Sequence, residues 1–152
     1  MTTVFVTGTT SGFGKAIAEK FAQKGYSVVI TGRRHERLQS LASALKQSCN
    51  AEVLPLLFDV RDRHAVNQAI SSMPEKWKES ISILVNNAGL AAGLDSIQEG
   101  SSDDWDTMID TNVKGLLYVT KAIIPFLIQN SHGHIINIGS TAAKYVYEKG
   151  NV

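Results

Sequence analysis

The chain has 152 residues, of which 43% are hydrophobic and 19% are charged, and its formal net charge is +1. This length matches one globular domain, and the low charged share, below the usual ~25%, excludes a disordered tail or a coiled coil. A nearly neutral chain provides no global basic field for a nucleic-acid backbone, so any ligand must bind at a local site.

The ends and the apolar stretches of the chain predict a soluble cytoplasmic protein without membrane or nucleic-acid partners. Residues 1–6 show no basic segment before an apolar run and no cleavage pattern, which excludes a secretion signal. The apolar stretch 116–128 contains Lys121 and Pro125 and falls short of the ~20 residues that a bilayer requires. The single cysteine, Cys49, excludes a disulfide framework and fits a reducing compartment.

Short apolar runs alternate along the chain with segments of helical periodicity. The predicted strands cover residues 3–7, 27–31, 52–58, 82–85 and 134–139, and the predicted helices cover residues 16–22, 34–47, 65–73 and 101–130. Apolar strands separated by helices predict a parallel sheet that is covered on both faces and joined by right-handed crossovers. The expected fold is a doubly wound, Rossmann-like α/β domain.

The last predicted helix has two local signals. Residues 101–104, with the sequence Ser-Ser-Asp-Asp, predict a capping box in which a Ser hydroxyl and an acidic side chain bind free backbone N–H groups. Pro125 lies inside the same helix and is expected to kink it without ending it.

A glycine-rich segment connects the first predicted strand to the first predicted helix. Glycines permit a tight turn and a close backbone approach to a pyrophosphate, whose charge the free N–H groups of the helix N-terminus stabilise. The strand before and the helix after the segment predict phosphate binding. The candidate residues are Gly8, Thr9, Thr10, Ser11, Gly12, Phe13 and Gly14.

Two other interpretations of this segment stay open. Gly14 and Lys15 resemble the end of a nucleoside-triphosphate P-loop, but Gly8 lies one residue too far away and Ala16 replaces the magnesium-binding Ser or Thr. The second alternative is a glycine-rich turn that binds no ligand.

The end of the second predicted strand indicates which dinucleotide would bind. In such folds an acidic residue at this point binds the ribose 2′-hydroxyl, whereas an Arg accommodates a 2′-phosphate. Residues 31–35 contain no carboxylate, and Arg33 and Arg34 offer planar, charge-assisted donors. We therefore expect NADP rather than NAD, the alternative being that both arginines only solvate the start of the second helix.

These motifs and their order resemble the short-chain dehydrogenase/reductase family. The glycine segment is followed by Asp59-Val60 after the third strand, Asn86-Asn87-Ala88-Gly89 after the fourth, Asn112 in the long helix and Ser140 after the fifth. The resemblance covers the whole chain and is closest to the NADP-dependent 3-hydroxy acid (serine) dehydrogenases. It implies an NADP-dependent oxidoreductase that interconverts an alcohol, such as a small 3-hydroxy acid, and a carbonyl by hydride transfer.

The resemblance also implies roles for the residues at the strand ends. Asp59 would accept a hydrogen bond from the adenine amino group, Val60 would line the adenine pocket, and Asn86, Ala88 and Gly89 would lie under the cofactor ribose. The alternatives are a helix N-cap for Asp59 and a turn residue that satisfies its own backbone for Asn86.

Two residues are the candidates for catalysis. The resemblance implies that Asn112 holds a water in a proton relay and that Ser140 donates a hydrogen bond to the substrate carbonyl. A hydrogen-bonded structural amide at Asn112 and a strand-end turn serine at Ser140 are the alternatives.

The family also uses a Tyr that moves the carbonyl proton and a Lys four residues later. Tyr145 and Lys149 have this spacing, but Tyr145 follows Ser140 too closely, and Gly150 favours a loop. The resemblance places the tyrosine directly after Val152. We therefore expect residues 1–152 to form one dinucleotide-binding domain that is incomplete at its C-terminus, with the Tyr/Lys helix and the last strands missing and little or no turnover.

Such an incomplete domain would expose its fifth strand as an edge and the apolar face of its long helix. The affected helix residues would be Leu116, Leu117, Ile123, Ile124 and Phe126. We expect a homo-oligomer in the full-length form, with a small hydroxy acid or carbonyl compound as substrate. The alternative function is a non-catalytic NADP-binding or interaction module.

No metal site is expected. His132 and His134 have no further ligand cluster nearby, and a turn that enters a strand explains them. Cys49 has no His or acidic neighbour and is expected to be an inert thiol.

Overall fold

The computed structural model describes residues 2–130, 132–145 and 148–150. The strands are β1 (Thr3–Val6), β2 (Ser27–Gly32), β3 (Val53–Leu57), β4 (Ile81–Asn86) and β5 (His134–Asn137). The helices are α1 (Gly12–Gln23), α2 (His35–Cys49), α3 (Arg63–Ser71), α4 (Glu75–Ser80), α5 (Ser102–Ile109) and α6 (Leu116–Gln129). A π-helical segment, Asp110–Gly115, joins α5 to α6, and a short 3₁₀ helix, Thr141–Ala143, follows β5.

All five strands are parallel and lie in the order β3-β2-β1-β4-β5. Strands β2 and β3 lie on one side of β1, and strands β4 and β5 lie on its other side. The predicted doubly wound, Rossmann-like α/β fold is confirmed. The order reverses between β1 and β4, which is the point where open α/β sheets bind ligands.

Alternating side chains of the strands form two buried clusters, one on each face of the sheet. Val4 and Val6 pack with α1 and α2 on one face, whereas Phe5 packs with α3, α4 and α6 on the other. This alternation follows from the period of two in a β-strand. The central strands are buried on both faces, which explains their uninterrupted apolar sequence.

The structure differs from the sequence predictions between β3 and α6. The short helix α4, which starts after Pro74 and buries Trp77, is not predicted by the sequence. Ser101 is the N-cap of α5, but its hydroxyl makes no capping hydrogen bond, so the predicted capping box is wrong. The irregularity of the long helix is the π segment, while Pro125 lies inside the uninterrupted α6.

The exposure of the long helix corrects a second expectation. Ile123 is fully buried against the sheet, so its predicted exposure is wrong, whereas Leu117 is 56% exposed and Ile124 is 37% exposed. The continuous helical run 102–129 contains an 18-residue stretch with a mean hydropathy of 1.2, so it is long and apolar enough to cross a membrane by length and composition alone. The apolar stretch 116–128 is the C-terminal part of this run, and one side of α6 packs on the sheet as a core helix does.

The two sides of α6 provide a matched pair of substitutions. We expect Ile123→Ala to lower the free energy of unfolding by about 2–5 kcal/mol, because it leaves a cavity against the sheet. Ile128→Ala, at a position that is 77% exposed, is expected to change it by less than about 0.5 kcal/mol. Urea unfolding followed by circular dichroism measures both, and equal losses would contradict the packing of α6 described above.

Candidate active site

A cleft of about 880 Å³ opens at the carboxyl edge of the sheet. Segments that follow all five strands contribute to it, as the reversal of strand order between β1 and β4 predicts. Its lining includes these candidate residues from the sequence: Gly8, Thr10, Ser11, Gly12, Phe13, Arg33, Arg34, Asp59, Val60, Asn86, Ala88, Gly89, Asn112 and Ser140.

The glycine segment forms the loop from β1 to α1. Gly8 has a positive φ of 70°, which residues with a Cβ rarely adopt. Gly14 is buried, and a Cβ there would collide with the Gly8 carbonyl oxygen and with the side-chain nitrogen of Asn87. The loop therefore folds tightly over the N-terminus of α1 and lies against the segment that follows β4.

The Thr7 hydroxyl ties this loop to β4. Thr7 Oγ1 accepts hydrogen bonds from the backbone N–H groups of Asn87 and Ala88, both at 2.9 Å. In return, Asn87 Nδ2 donates to the backbone oxygens of Thr7 at 2.8 Å and Gly8 at 3.2 Å. These four bonds hold the carboxyl ends of β1 and β4 together at the floor of the cleft. The sequence motif includes Thr7 and Asn87 but does not reveal this reciprocal contact.

Thr9 differs from the other residues of the loop. Its side chain is fully buried, and both its backbone N–H and its hydroxyl donate to the carbonyl oxygen of Thr31 in β2. Thr9 and Gly14 do not line the cleft of 880 Å³. Thr9 binds β2 and Gly14 packs against Gly8, so both residues fix the conformation of the loop without lining this cleft.

The two arginines after β2 lie at one end of the cleft. Arg34 donates to Thr10 Oγ1 from Nε at 3.0 Å and from Nη2 at 2.7 Å, and Nη2 also donates to Ser11 Oγ at 2.8 Å. Arg33 Nη1 contacts Asp59 Oδ2 at 3.4 Å. Within the described part of the chain no carboxylate lies within 4.0 Å of the Arg34 guanidinium, so its positive charge is not paired with a negative one.

Asp59 follows β3, lies beside Arg33 and is strongly hydrogen-bonded. Partial burial raises the pKa of this carboxyl, but the hydrogen bonds and positive charges of Arg61 and the charge of Arg33 outweigh it and hold the pKa below its ordinary value. Asp59 is therefore ionised at neutral pH. The N-cap of α3 is Asp62, which accepts from the N–H groups of His64 and Ala65, so the N-cap alternative for Asp59 does not hold.

Asn86 connects the cleft to β5 and α6. Its Nδ2 donates to Thr120 Oγ1 and to Asn137 Oδ1, each at 2.9 Å. The residue is 4% exposed, and its Oδ1 has no partner among the described residues. Thr31 Oγ1 and Thr111 Oγ1 are also buried without a partner, and both residues line the same cleft. Three orphaned acceptors at one cleft fit a polar ligand or ordered water.

Asn112 lies in the π-helical segment and faces the loop after β4. Its Oδ1 accepts from the Leu90 N–H at 2.9 Å, and its Nδ2 donates to the Leu90 carbonyl at 2.8 Å. The side-chain amide thus pairs with one backbone unit in both directions. This contact fits the structural alternative for its side chain and fixes the wall of the cleft.

Ser140 lies after β5 at the end of the cleft that is formed by residues 137–140. Its Oγ accepts from the Ala142 N–H at 3.1 Å, which leaves the hydroxyl proton free to donate.

Tyr145 is 62% exposed, and the Lys144 amine lies 5.4 Å from its ring centroid. Lys149 has a positive φ of 62°, which is incompatible with a helical turn shared by Tyr145 and Lys149.

Comparison with known proteins decides the family. A model of the family described as short chain dehydrogenase matches residues 2–152. The chain belongs to the short-chain dehydrogenase family. The NADP-dependent 3-hydroxy acid dehydrogenase YdfG of Salmonella typhi is 51% identical over 149 residues, which are 98% of this chain and 58% of that protein. This short-chain dehydrogenase chain therefore spans less than two thirds of the length of such relatives.

Solved structures of short-chain dehydrogenases match the same fold. The closed form of serine dehydrogenase complexed with NADP+ has a TM-score of 0.89 and 50% identity, covering 99% of this chain and 58% of that chain. The crystal structure of serine dehydrogenase from Escherichia coli has a TM-score of 0.88 and 49% identity, covering 99% of this chain and 67% of that chain.

Two buried threonines test the link between β1 and β4. We expect Thr7→Val to lower the free energy of unfolding by about 1–3 kcal/mol, because the N–H groups of Asn87 and Ala88 lose their acceptor. Thr111→Val is the matched control, since Thr111 Oγ1 has no hydrogen-bond partner in the described part of the chain, and we expect it to be neutral or slightly stabilising. Chemical unfolding compares the two, and equal effects would show that the Thr7 hydroxyl does not hold the sheet edge.

Proposed function

We propose that this chain binds NADP(H) in the cleft and serves a cytoplasmic oxidoreductase that interconverts a small 3-hydroxy acid and a carbonyl compound by hydride transfer. The observation that carries the proposal is the guanidinium of Arg34, which lies between the loop and β2 and has no carboxylate partner among the residues that the structure describes. With Arg33 beside it, this end of the cleft suits a dianionic 2′-phosphate. The relatives that are named above as NADP-dependent or as complexed with NADP+ support the same cofactor.

The remaining lining fits the rest of a dinucleotide. The loop 8–14 leads into the N-terminus of α1, where backbone N–H groups and the helix dipole stabilise a pyrophosphate. Asp59 and Val60 lie at the carboxyl end of β3, beside Arg33, where an adenine ring would place its amino group near a carboxylate. The orphaned oxygens of Asn86, Thr31 and Thr111 offer acceptors to hydroxyls or water in the same cleft.

The residues of this chain orient the substrate and polarise it. NADP(H) held in the cleft would supply the hydride chemistry between its nicotinamide and the carbonyl or alcohol carbon. The Ser140 hydroxyl is free to donate and would form a hydrogen bond to the substrate oxygen. This bond would stabilise the negative charge that develops on that oxygen. Through its two hydrogen bonds with the Leu90 backbone, Asn112 would hold the π-helical segment in place beside the proton relay.

Exposed apolar side chains support the proposal of a homo-oligomer. They lie on the outer side of the long helix: Ile109, Val113, Leu117, Ile124 and Ile128. An apolar surface of this kind is typical of an association interface.

Direct titration tests the cofactor. We expect wild-type protein to bind NADPH more tightly than NADH, and Arg34→Ala to weaken NADPH binding at least about tenfold through loss of a charge-assisted phosphate contact. NADH binding is expected to change by less than about threefold, because it lacks the 2′-phosphate. Arg63→Ala, which removes an exposed Arg from α3, is the control that keeps both affinities. Equal affinities of wild type and Arg34→Ala for NADPH would remove the phosphate argument.

Turnover by the 152 residues taken alone is a separate question. We expect NADPH binding with little or no oxidation of NADPH in the presence of a small semialdehyde, because Tyr145 and Lys149 do not share a helical turn. Such a result would favour the non-catalytic NADP-binding module for this polypeptide. A steady-state rate lowered by Tyr145→Phe, with NADPH affinity unchanged, would instead show that Tyr145 moves the proton.

A further inference from the structure

Arg61 holds Asp59 more firmly than any other residue does, although neither the motifs nor the family resemblance assigns Arg61 a role. The Arg61 backbone N–H donates to Asp59 Oδ1 at 3.0 Å. Its side chain donates from Nε to Oδ1 at 3.2 Å and to Oδ2 at 3.0 Å, and from Nη2 to Oδ2 at 2.8 Å. This forked, charge-assisted arrangement is the strong form of an Arg–carboxylate pair.

The contact of Arg33 with the same carboxylate is weaker. It consists of a single approach of Nη1 to Oδ2 at 3.4 Å, at the outer limit of a hydrogen bond. The Arg33 side chain is 56% exposed, compared with 37% for Arg61. Arg33 is therefore the partner that Asp59 can exchange at the lowest cost.

The acceptor capacity of Asp59 makes such an exchange necessary. An ionised carboxylate offers about four lone-pair positions. Four donor groups, three from Arg61 and one from Arg33, already approach the two oxygens of Asp59. A further donor, such as the amino group of a purine, can bind Asp59 only by displacing one of these four.

We propose that Arg61 is a positioning residue for cofactor selection: it retains Asp59, so that an incoming purine amino group displaces Arg33, and the released Arg33 guanidinium pairs with the 2′-phosphate. This inference rests on the proposed binding of NADP. Without Arg61, Arg33 is the remaining cation at Asp59 and pairs with the carboxylate tightly. A guanidinium that is neutralised in this way is a poorer ligand for a phosphate.

The charge state of the site supports this competition. Asp59 is ionised at neutral pH, since the opposing cations hold its pKa below the ordinary value despite partial burial. The hydrogen bond and negative charge of Asp59 raise the pKa of Arg61. The carboxylate of Asp110 in the π segment contributes a smaller electrostatic effect in the same direction. Arg61 is therefore held by its direct contacts with Asp59, to which Asp110 adds only a weaker electrostatic attraction.

A double-mutant cycle with two cofactors tests the inference. We expect Arg61→Gln to weaken NADPH binding about tenfold and NADH binding less than about threefold, which lowers the ratio of the two affinities. In an Arg33→Ala background the same substitution is expected to leave NADPH affinity unchanged within about twofold, because the residue that Arg61 keeps available is gone. Arg61→Lys retains the charge but not the fork, so we expect an affinity ratio between those of wild type and Arg61→Gln.

The outcomes separate the inference from the proposed function. If wild-type protein binds neither cofactor, or binds NADH as tightly as NADPH, the proposed NADP site is wrong and the inference falls with it. If wild type prefers NADPH but Arg61→Gln weakens both cofactors equally, or weakens NADPH equally in the Arg33→Ala background, Arg61 is only structural. Should Arg61→Gln fail to fold, an unaltered affinity ratio in Arg61→Lys overturns the inference, and a lowered ratio supports it.

Discussion

The four hydrogen bonds between the end of β1 and the segment after β4 are the constraint on which the site depends. In a doubly wound sheet these two strands are neighbours in space although about 80 residues separate them in the chain. A gap opens at this point because the loops that leave the two strands lead to opposite sides of the sheet. Thr7 and Asn87 close the floor of this gap and leave its upper part free for a ligand.

Charge is distributed unevenly around the cleft. Among the described residues, the Arg34 guanidinium donates only to hydroxyl groups, whereas Asp59, beside Arg33, attracts two cations and is saturated with donors. Ion pairs at such exposed positions add little to stability, so the arrangement is better explained by recognition than by folding. NADP carries at its adenosine end both an amino group, which suits the carboxylate of Asp59, and a phosphate, which suits the guanidinium of Arg34.

The elements that the sequence predicts well are those with a clear local signal. The apolar runs of β1 and β2 and the stripe of α2 that contains Leu38, Leu41 and Leu45 predict both the fold class and the buried faces. The strand-end motifs also bring most of the candidate residues to one cleft, since the carboxyl ends of parallel strands share an edge. Helix α4 has only six residues, which is too short to show a periodicity in the sequence, and its one buried side chain, Trp77, is recognised only in the folded structure.

The features that the sequence does not reveal depend on contacts between distant residues. The π segment lies where Asn112 binds Leu90, and nothing in the local sequence indicates that pairing. The contact between Asn86 and Asn137 joins two strands whose register is known only once the sheet is formed. Arg61 lies next to the recognised Asp59-Val60 pair, yet its role follows from a turn that directs its side chain back to Asp59.

A crystal structure of this chain with NADP+ bound would show directly how the cleft holds the cofactor. We expect the pyrophosphate over the loop 8–14, the adenine amino group on Asp59 and the 2′-phosphate in contact with both Arg33 and Arg34. A cofactor whose 2′-phosphate contacts neither arginine would contradict this expectation.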